Sequence, residues 1–341
     1  MFLKKYKNEN HNVYEVLGLK FKIKNKLDII LDEIKNVKRV TSDFEIGRCK
    51  NIYNNIDKKI FLEKYKNLVS GLDEESIRQI STIIARIIKI SKSDIYEDVF
   101  TEEEVIQIKK LEKEFKNNII ELNENCYAYK QYILPINHFE KSVFYYKHSI
   151  NELENSDKIK NKNIIDVGGF IGDSAIVLKD YTDCKVYSFE PETNNIELMY
   201  KTIELNNAQD KIIPIKCGLG SKEEQQEIYS DGSGSVLLQN TNAEMKKETI
   251  NITTLDKFVE ENNIEVGLIK VDIEGFEPEF LKGAVNTIKN QKPTLLLSIY
   301  HNAHDLFELK PYIESLNLNY KLKIRKPVDG SVRGEILLIA E

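Results

Sequence analysis

Apolar and polar positions recur with two different periods along the chain, and the period changes near residue 126. In the first 125 residues the dominant period is that of an amphipathic helix. One stretch places six isoleucines on a single helical stripe: Ile77, Ile80, Ile83, Ile84, Ile87 and Ile88. A second helix is predicted after Thr101, because Thr101 and Glu104 have the spacing of a capping box. With a short strand pair or extended piece at 13–24, residues 1–125 are predicted to form a mostly helical N-terminal domain.

After residue 126 the chain alternates between strand-like and helical stretches. Residues 126–162 form an aromatic lead-in that contains Pro135. Seven strands are then predicted, at 163–167, 185–189, 211–216, 267–272, 294–299, 319–325 and 335–340. Five helices are predicted near 173–180, 192–206, 255–262, 278–289 and 303–316. Between the third and fourth strands, Asp-Gly and Ser-Gly turn signals predict an inserted hairpin or loop.

This alternation is typical of a mostly parallel α/β sheet. The last two strands are joined by "KPVDGSVRG", a turn-rich connection that has no room for a helix. Strands joined so briefly must run antiparallel. Residues 126–341 are therefore predicted to form one Rossmann-like domain with a seven-stranded, mostly parallel sheet whose last strand is antiparallel.

A glycine-rich turn between the first predicted strand and helix indicates a nucleotide-like cofactor. The stretch "DVGGFIGD" contains Asp166, Gly168, Gly172 and Asp173. It departs from the G-x-G-x-x-G fingerprint of dinucleotide sites. Asp173 would lie at the helix start and repel a pyrophosphate there. The stretch therefore favours S-adenosylmethionine, a sulfonium with a free amine that Asp166 and Asp173 could bind, while Gly168 lets the backbone pass close to the cofactor.

A carboxylate at the end of the second strand supports an adenosine cofactor. Glu190, in "FEPE", lies 24 positions after Asp166. There it can accept hydrogen bonds from both ribose hydroxyls, as in sites for NAD or for S-adenosylmethionine. The position alone does not decide between the two cofactors.

A third motif, "KVDIEGFEPEFLKGA", follows the glycine turn and Glu190 in the sequence. Together, four stretches resemble the FkbM family of S-adenosylmethionine-dependent methyltransferases: "DVGGFIGDS", "FEPE", "TLDKF" and "KVDIEGFEPEFLKGA". The resemblance runs from about Leu134 to the C-terminus, and its last segments are similar to a bacterial branch linked to surface-glycan synthesis. It implies a class I methyltransferase fold and O-methylation of a hydroxyl on a sugar or other natural product. One departure is Gly169-Phe170, where Ala-Asn is common in the family.

The chemistry requires a group that takes the acceptor's proton, and two strand ends offer candidates. Ligands of open α/β sheets bind at the carboxyl ends of the strands. Asp272 ends the fourth predicted strand and His301 follows the fifth. His301 is the favoured base, because an unperturbed imidazole titrates near neutral pH. Asp272 and Glu274 are expected to orient the base or the acceptor, although Glu274 and His301 can also be read as helix caps.

A metal site is a weaker alternative at the same place. His301, His304 and Asp305 could act as ligands, but their spacing matches no recognised metal motif. The chain is therefore expected to work without a metal.

Composition limits which partners and which cellular compartment are expected for this chain. The formal net charge of −6 gives no general affinity for nucleic acid. The spacing of the four cysteines suits neither zinc nor a disulfide framework, which favours a reducing, cytoplasmic location. No apolar run is long enough for a membrane span. The expected partners are a small-molecule or glycan acceptor and, through the N-terminal domain, a second copy of the chain.

Two rival functions remain open. A nicotinamide-dependent sugar epimerase or dehydrogenase would need the dinucleotide fingerprint and a correctly placed Y-x-x-x-K. The match "YTDCK" lies instead in the turn before the second strand. A catalytically inactive binding module is the other rival, and the presence of Asp166, Gly168, Glu190 and Asp272 disfavours it.

Overall fold

The computed structural model describes residues 3–8, 11–16, 19–24, 43–95, 99–230, 235–236 and 246–341. The helices are α1 (43–54), α2 (Lys58–Val69), α3 (Glu74–Ser93), α4 (Glu102–Asn117), α5 (Lys141–Phe144), α6 (Asp157–Lys160), α7 (Asp173–Leu178), α8 (Thr193–Leu205), α9 (Leu255–Glu261), α10 (Glu277–Gly283), α11 (Val285–Gln291) and α12 (Ala303–Ser315). Short 3₁₀ turns lie at Lys147–Glu152 and Lys179–Tyr181.

The strands are β1 (Leu3–Asn8), β2 (His11–Val16), β3 (Leu19–Lys24), β4 (Ile119–Asn123), β5 (Cys126–Tyr129), β6 (Tyr132–Leu134), β7 (Asn163–Val167), β8 (Val186–Phe189), β9 (Ile212–Ile215), β10 (Gly218–Leu219), β11 (Glu224–Ser230), β12 (Ser235–Val236), β13 (Lys246–Thr253), β14 (Val266–Val271), β15 (Thr294–Ser298), β16 (Leu322–Arg325) and β17 (Leu337–Ala340).

The central sheet confirms the predicted fold class. Its seven strands lie in the order β16-β17-β15-β14-β7-β8-β9. β17 runs antiparallel to both of its neighbours, and the pairs among β15, β14, β7, β8 and β9 are parallel. Every residue of β14 and β15 is buried, as expected for strands covered by helices on both faces.

The register brings the functional strand ends together. Val167, at the end of β7, pairs with Val271 on one side and with Phe189 on the other. The turns that follow β7, β8 and β14 therefore leave the sheet side by side at one edge. This edge is where the glycine turn, Glu190 and Asp272 meet.

The smaller sheets confirm two predictions and add one sheet that the sequence did not indicate. The strand pair expected at 13–24 is present as β2 and β3, which pair antiparallel, with β1 as a third strand. The predicted insert contains the antiparallel pair of β11 and β13, although its turns at 231–234 and 237–245 lie outside the described residues. The sheet of β4, β5 and β6 had no clear signal in the sequence.

The N-terminal helices pack directly on the central sheet. Thr101 and Glu104 form the predicted capping box at the start of α4. Ser76, in α3, accepts hydrogen bonds from the backbone of Ile324 at 2.9 Å and from the guanidinium of Arg325 at 2.9 Å. The buried apolar residues of α2 and α3 belong to the same core cluster as those of β16 and α12.

The boundary expected near residue 125 falls in the turn of the β4–β5 hairpin rather than in a linker. The sequence predicts that residues 1–125 form a separate domain, but the shared core leads us to expect that the two parts do not fold separately. Among the helices of the described residues, none has the length and apolar character that crossing a membrane requires.

Candidate active site

The glycine turn after β7 passes directly against the backbone of Asp272. Gly168 has a left-handed φ of 79°, and a Cβ there would lie 1.9 Å from the Asp272 carbonyl oxygen. A Cβ on Gly169 would lie 2.1 Å from Ser188 Oγ. Only glycine fits at these positions. The turn therefore holds the start of α7 and the end of β14 in contact.

Asp166 supports this turn from below. The side chain is fully buried, accepts a hydrogen bond from Ser188 Oγ at 2.7 Å, and pairs with Lys270 Nζ at 3.2 Å. Lys270 in turn donates to the Gly168 carbonyl oxygen at 2.8 Å. The structure thus places Asp166 under the turn, and the contact with a cofactor amine that the sequence suggested stays a prediction. Gly172, the N-cap residue of α7, likewise serves the shape of the turn, with a φ of 84°.

The carboxyls of Glu190 and Asp173 line the open space beside the turn. Glu190 accepts hydrogen bonds from the backbone N–H of Phe170 at 3.0 Å and of Glu192 at 2.9 Å. Burial raises the pKa of Glu190 to about 7. Burial, assisted by Glu140, raises the pKa of Asp173 to about 6. A positively charged or hydrogen-donating ligand would therefore stabilise the ionised form of both carboxyls.

Asp272 and His301 come together as the order of the strands predicted. Asp272 follows β14, and His301 lies three residues beyond β15. His301 Nε2 is 3.1 Å from Asp272 Oδ1 and 3.8 Å from Glu274 Oε2. On the other side of the ring, His301 Nδ1 is 3.1 Å from Oε1 of Glu277, a buried residue that the sequence reasoning missed.

The surroundings of His301 do not suit the base that the sequence suggested. Burial alone would lower the pKa of His301, but the carboxylates of Asp272 and Glu277 raise it to about 11. While no cation competes for its nitrogens, the ring then carries both protons at neutral pH and links the two carboxylates. This arrangement disfavours the base role that the sequence suggested.

A cavity of about 950 Å³ opens at this edge of the sheet. Its wall includes Gly168, Asp173 and Glu190, together with Asp272 and Glu274. Its volume is within the range of small-molecule sites, at the upper end. Two ligands can therefore meet in it, one at the glycine turn and one beside Asp272.

Three further residues line the cavity without a motif to mark them. The hydroxyl of Tyr300 donates to Asp272 Oδ1 at 3.2 Å. His148 lies 3.1 Å from Ser174 Oγ, and burial lowers its pKa to about 3, so its ring is neutral. Burial, with Glu140 nearby, raises the pKa of Glu335 to about 8.

His148 and Glu335 also have left-handed backbone, with φ of 49° and 60°. Backbone of this kind in non-glycine residues is strained and concentrates at functional sites. It leaves no signature in the sequence.

The metal ligands suggested by the sequence are not the ones that the structure groups. His304 is exposed, and Asp305 Oδ2 accepts from the amide of Asn302 at 2.7 Å. Within the described part of the chain, the residues grouped closely enough to share a cation are Asp272, Glu277 and His301.

Comparisons with known proteins agree with this architecture. Residues 166–322 match the sequence profile of the methyltransferase FkbM domain. The hexuronic acid methyltransferase AglP of Haloferax volcanii is 30% identical over 131 residues, which cover 37% of this chain and 51% of that protein. The chain thus spans about half the length of this curated relative.

Among solved structures, the crystal structure of the methyltransferase FkbM from Methylobacillus flagellatus KT aligns with a TM-score of 0.52 and 19% identity. The alignment covers 82% of this chain and 58% of that one, which supports the fold. Residues 166–322 of the chain are therefore similar to the methyltransferase FkbM domain, and the fold around them is that of a methyltransferase.

Proposed function

We propose that this protein is an S-adenosylmethionine-dependent O-methyltransferase that methylates a hydroxyl of a sugar or surface-glycan precursor. The observation that carries the proposal is the shared cavity, which the glycine turn, Glu190 and Asp272 all line. The match of residues 166–322 to the FkbM domain supports methyl transfer, and the name of the hexuronic acid methyltransferase relative supports a sugar acceptor.

The residues of the glycine turn fit this cofactor better than a dinucleotide. Glu190 has two carboxylate oxygens and has used part of their accepting capacity, so ribose hydroxyls can still donate to it. Asp173, at the first position of α7, would repel a pyrophosphate but attract an amine. At Gly168 and Gly169 the neighbouring atoms leave no room for a side chain.

When bound, S-adenosylmethionine supplies an electrophilic methyl group on a sulfonium. The protein's part is to align the acceptor oxygen with that group, which can lower the barrier by roughly 7–11 kcal/mol in well-oriented cases. Asp272 is suited to accept a hydrogen bond from the acceptor hydroxyl, because Tyr300 and His301 fix its position. In the same cavity Glu274 has a carboxyl whose pKa is raised by burial.

The acceptor's proton needs a different group from His301. We assign it to Glu335, whose carboxyl lines the cavity and can be ionised near pH 8. The charged and titratable groups around it are Glu140, Asp272, Asp329 and Lys326. A base with a pKa close to the working pH contributes about 10²–10⁴-fold to the rate.

Two titrations and one transfer assay test the proposal. Calorimetry should show binding of S-adenosylhomocysteine and none of NAD; the reverse result would favour the nicotinamide-dependent rival. Purified enzyme with methyl-labelled S-adenosylmethionine should then label a glycan or nucleotide-sugar fraction of its own cells. Binding without any labelling would favour an inactive binding module.

The proton acceptor is tested by two matched variants. Glu335→Gln should lower kcat about 10²-fold and remove the rise of activity toward pH 8, with the affinity for S-adenosylhomocysteine unchanged. If Glu335→Gln is fully active and Glu274→Gln loses the pH-dependent rise, Glu274 is the base.

A further inference from the structure

A group of three potential metal ligands lies below the acceptor side of the cavity. The proposed mechanism does not fully use these residues. Asp272, Glu277 and His301 each offer one ligand atom, and these atoms lie within 4.8 Å of one another. Glu277 is fully buried and the His301 side chain is 4% exposed, while Asp272 reaches the cavity wall. The group is therefore closed on the protein side and open on the cavity side.

Several buried atoms of this group have no hydrogen-bond partner. Both ring nitrogens of His301 and Oε2 of Glu277 lack one. Yet each ring nitrogen has a carboxylate oxygen at 3.1 Å, so the distances are short and the directions are not those of hydrogen bonds. Buried polar atoms are rarely left unpaired, and each such case needs an explanation.

Ligands of a common cation have this kind of spacing. Two ligands at right angles, each about 2.1 Å from a small divalent cation, lie about 3.0 Å apart and do not point at each other. Ligands on opposite sides lie about 4.2 Å apart. In this group no two ligand atoms lie more than 4.8 Å apart, which is about 0.6 Å beyond the separation of opposite ligands.

The local charge also favours a cation. Around the single imidazole of His301 lie four carboxyls, from Asp272, Glu274, Glu277 and Asp305, and the buried Lys270 is a second positive charge that acts on Asp272. Burying carboxylates without compensation is costly. An imidazole with two carboxylates is a donor set suited to Mn²⁺, and Mg²⁺ accepts its oxygen ligands.

We propose that Asp272, Glu277 and His301 bind a divalent cation of the Mg²⁺ or Mn²⁺ class beside the acceptor position. The remaining coordination positions of the ion face the cavity, where an acceptor hydroxyl can occupy one. The site itself does not depend on the proposed function, but its catalytic use does.

In that use, the oxygen–methyl bond forms as the sulfur–methyl bond breaks. The hydroxyl proton passes to the Glu335 carboxylate, and the sulfonium becomes a neutral thioether. A bound cation favours this step because it lowers the pKa of the coordinated hydroxyl.

The test is binding of Mn²⁺ to the full-length protein after treatment with a chelator, measured by electron paramagnetic resonance and calorimetry. We expect one ion per chain and a higher melting temperature with the metal. Asp272→Asn and Glu277→Gln should each weaken binding by more than about 10-fold. Glu197→Gln, on the exposed face of α8, is the matched control and should bind Mn²⁺ like the wild type.

Absence of saturable Mn²⁺ binding to the folded wild type at millimolar concentration would overturn the proposal, whatever the variants do. Unchanged binding in a folded Asp272→Asn or Glu277→Gln variant would overturn it too, since a buried imidazolium that links two carboxylates would then explain the group. Binding of S-adenosylhomocysteine, measured in parallel, reports separately on the proposed function. Loss of one result with retention of the other identifies which proposal has failed.

Discussion

If Glu190 binds the ribose of the cofactor as proposed, we expect the affinity for the cofactor to depend on pH. Burial raises the pKa of its carboxyl to about 7 in the free protein. Ribose hydroxyls donate more strongly to the ionised carboxylate than to the neutral acid. The ionised fraction rises from about 3% at pH 5.5 to about 90% at pH 8 for such a group. Affinity for S-adenosylhomocysteine should therefore increase as pH rises, by up to about 30-fold or about 2 kcal/mol.

The variant Glu190→Gln removes the charge and keeps the shape. At pH 8 it should bind S-adenosylhomocysteine more weakly by about 1.5–3 kcal/mol, the usual value for hydrogen bonds to a charged group. At pH 5.5 the wild-type carboxyl is itself neutral, so the two proteins should bind almost equally. A remaining slope between pH 5.5 and 7 would come from Asp173, whose pKa is raised to about 6.

Calorimetric titrations at four pH values between 5.5 and 8 measure this difference, with Glu197→Gln as the control. Repeating the titrations in buffers of different ionisation enthalpy should show protons released on binding near pH 6.5. A folded Glu190→Gln protein with wild-type affinity at pH 8 would remove Glu190 from the site. A deficit of the same size at every pH would show that the carboxyl is already ionised in the free protein.

Three further predictions concern the framework of the site. Gly168→Ala should lower the melting temperature by about 5 °C or more and abolish S-adenosylhomocysteine binding, because the new Cβ meets a backbone oxygen at 1.9 Å; Gly218→Ala, where the nearest atom lies at 3.4 Å, is the control in the same thermal scan. Lys270→Met should cost about 3–5 kcal/mol in urea unfolding, since it leaves the buried carboxylate of Asp166 unpaired. A fragment of residues 126–341 should be insoluble or unable to bind S-adenosylhomocysteine, because the N-terminal helices share its core; a soluble fragment that binds would show that they form a separable unit.

The central sheet could be predicted from the sequence because its signals are local. Most of the strands are rich in apolar residues, and turn or helix signals bound them, so all seven strands of the sheet were found within a few residues. The β4–β5–β6 sheet was missed because most of its residues also suit a loop that leads into a domain. The packing of α3 on β16 depends on a contact between Ser76 and Ile324, nearly 250 residues apart. No local pattern encodes a contact of that kind.

The sequence predicts which residues lie at the candidate site better than it predicts the role of each residue. Glu190 and Asp272 follow from their places at strand ends, and the distance of 3.1 Å between His301 and Asp272 agrees with the predicted order of strands. The base role of His301 depended on an ordinary pKa, and that value depends on neighbours. Glu277 raises the pKa of His301, but in the sequence Glu277 is recognisable only as a residue at the start of a helix.

The shape of the cavity depends on backbone that no sequence pattern reveals. Phe170, His148, Glu274 and Glu335 all have left-handed φ and all line the cavity. Each such residue costs roughly 1–2 kcal/mol relative to ordinary backbone, so the surrounding contacts must offset several kcal/mol. One of these contacts is the hydrogen bond from the Phe170 N–H to Glu190, the carboxylate assigned to the ribose. The same side chain thus holds the strained turn and faces the ligand. A change of Glu190 is therefore expected to alter both the shape of the turn and the affinity, and the pH dependence of binding is the measurement that separates the two effects.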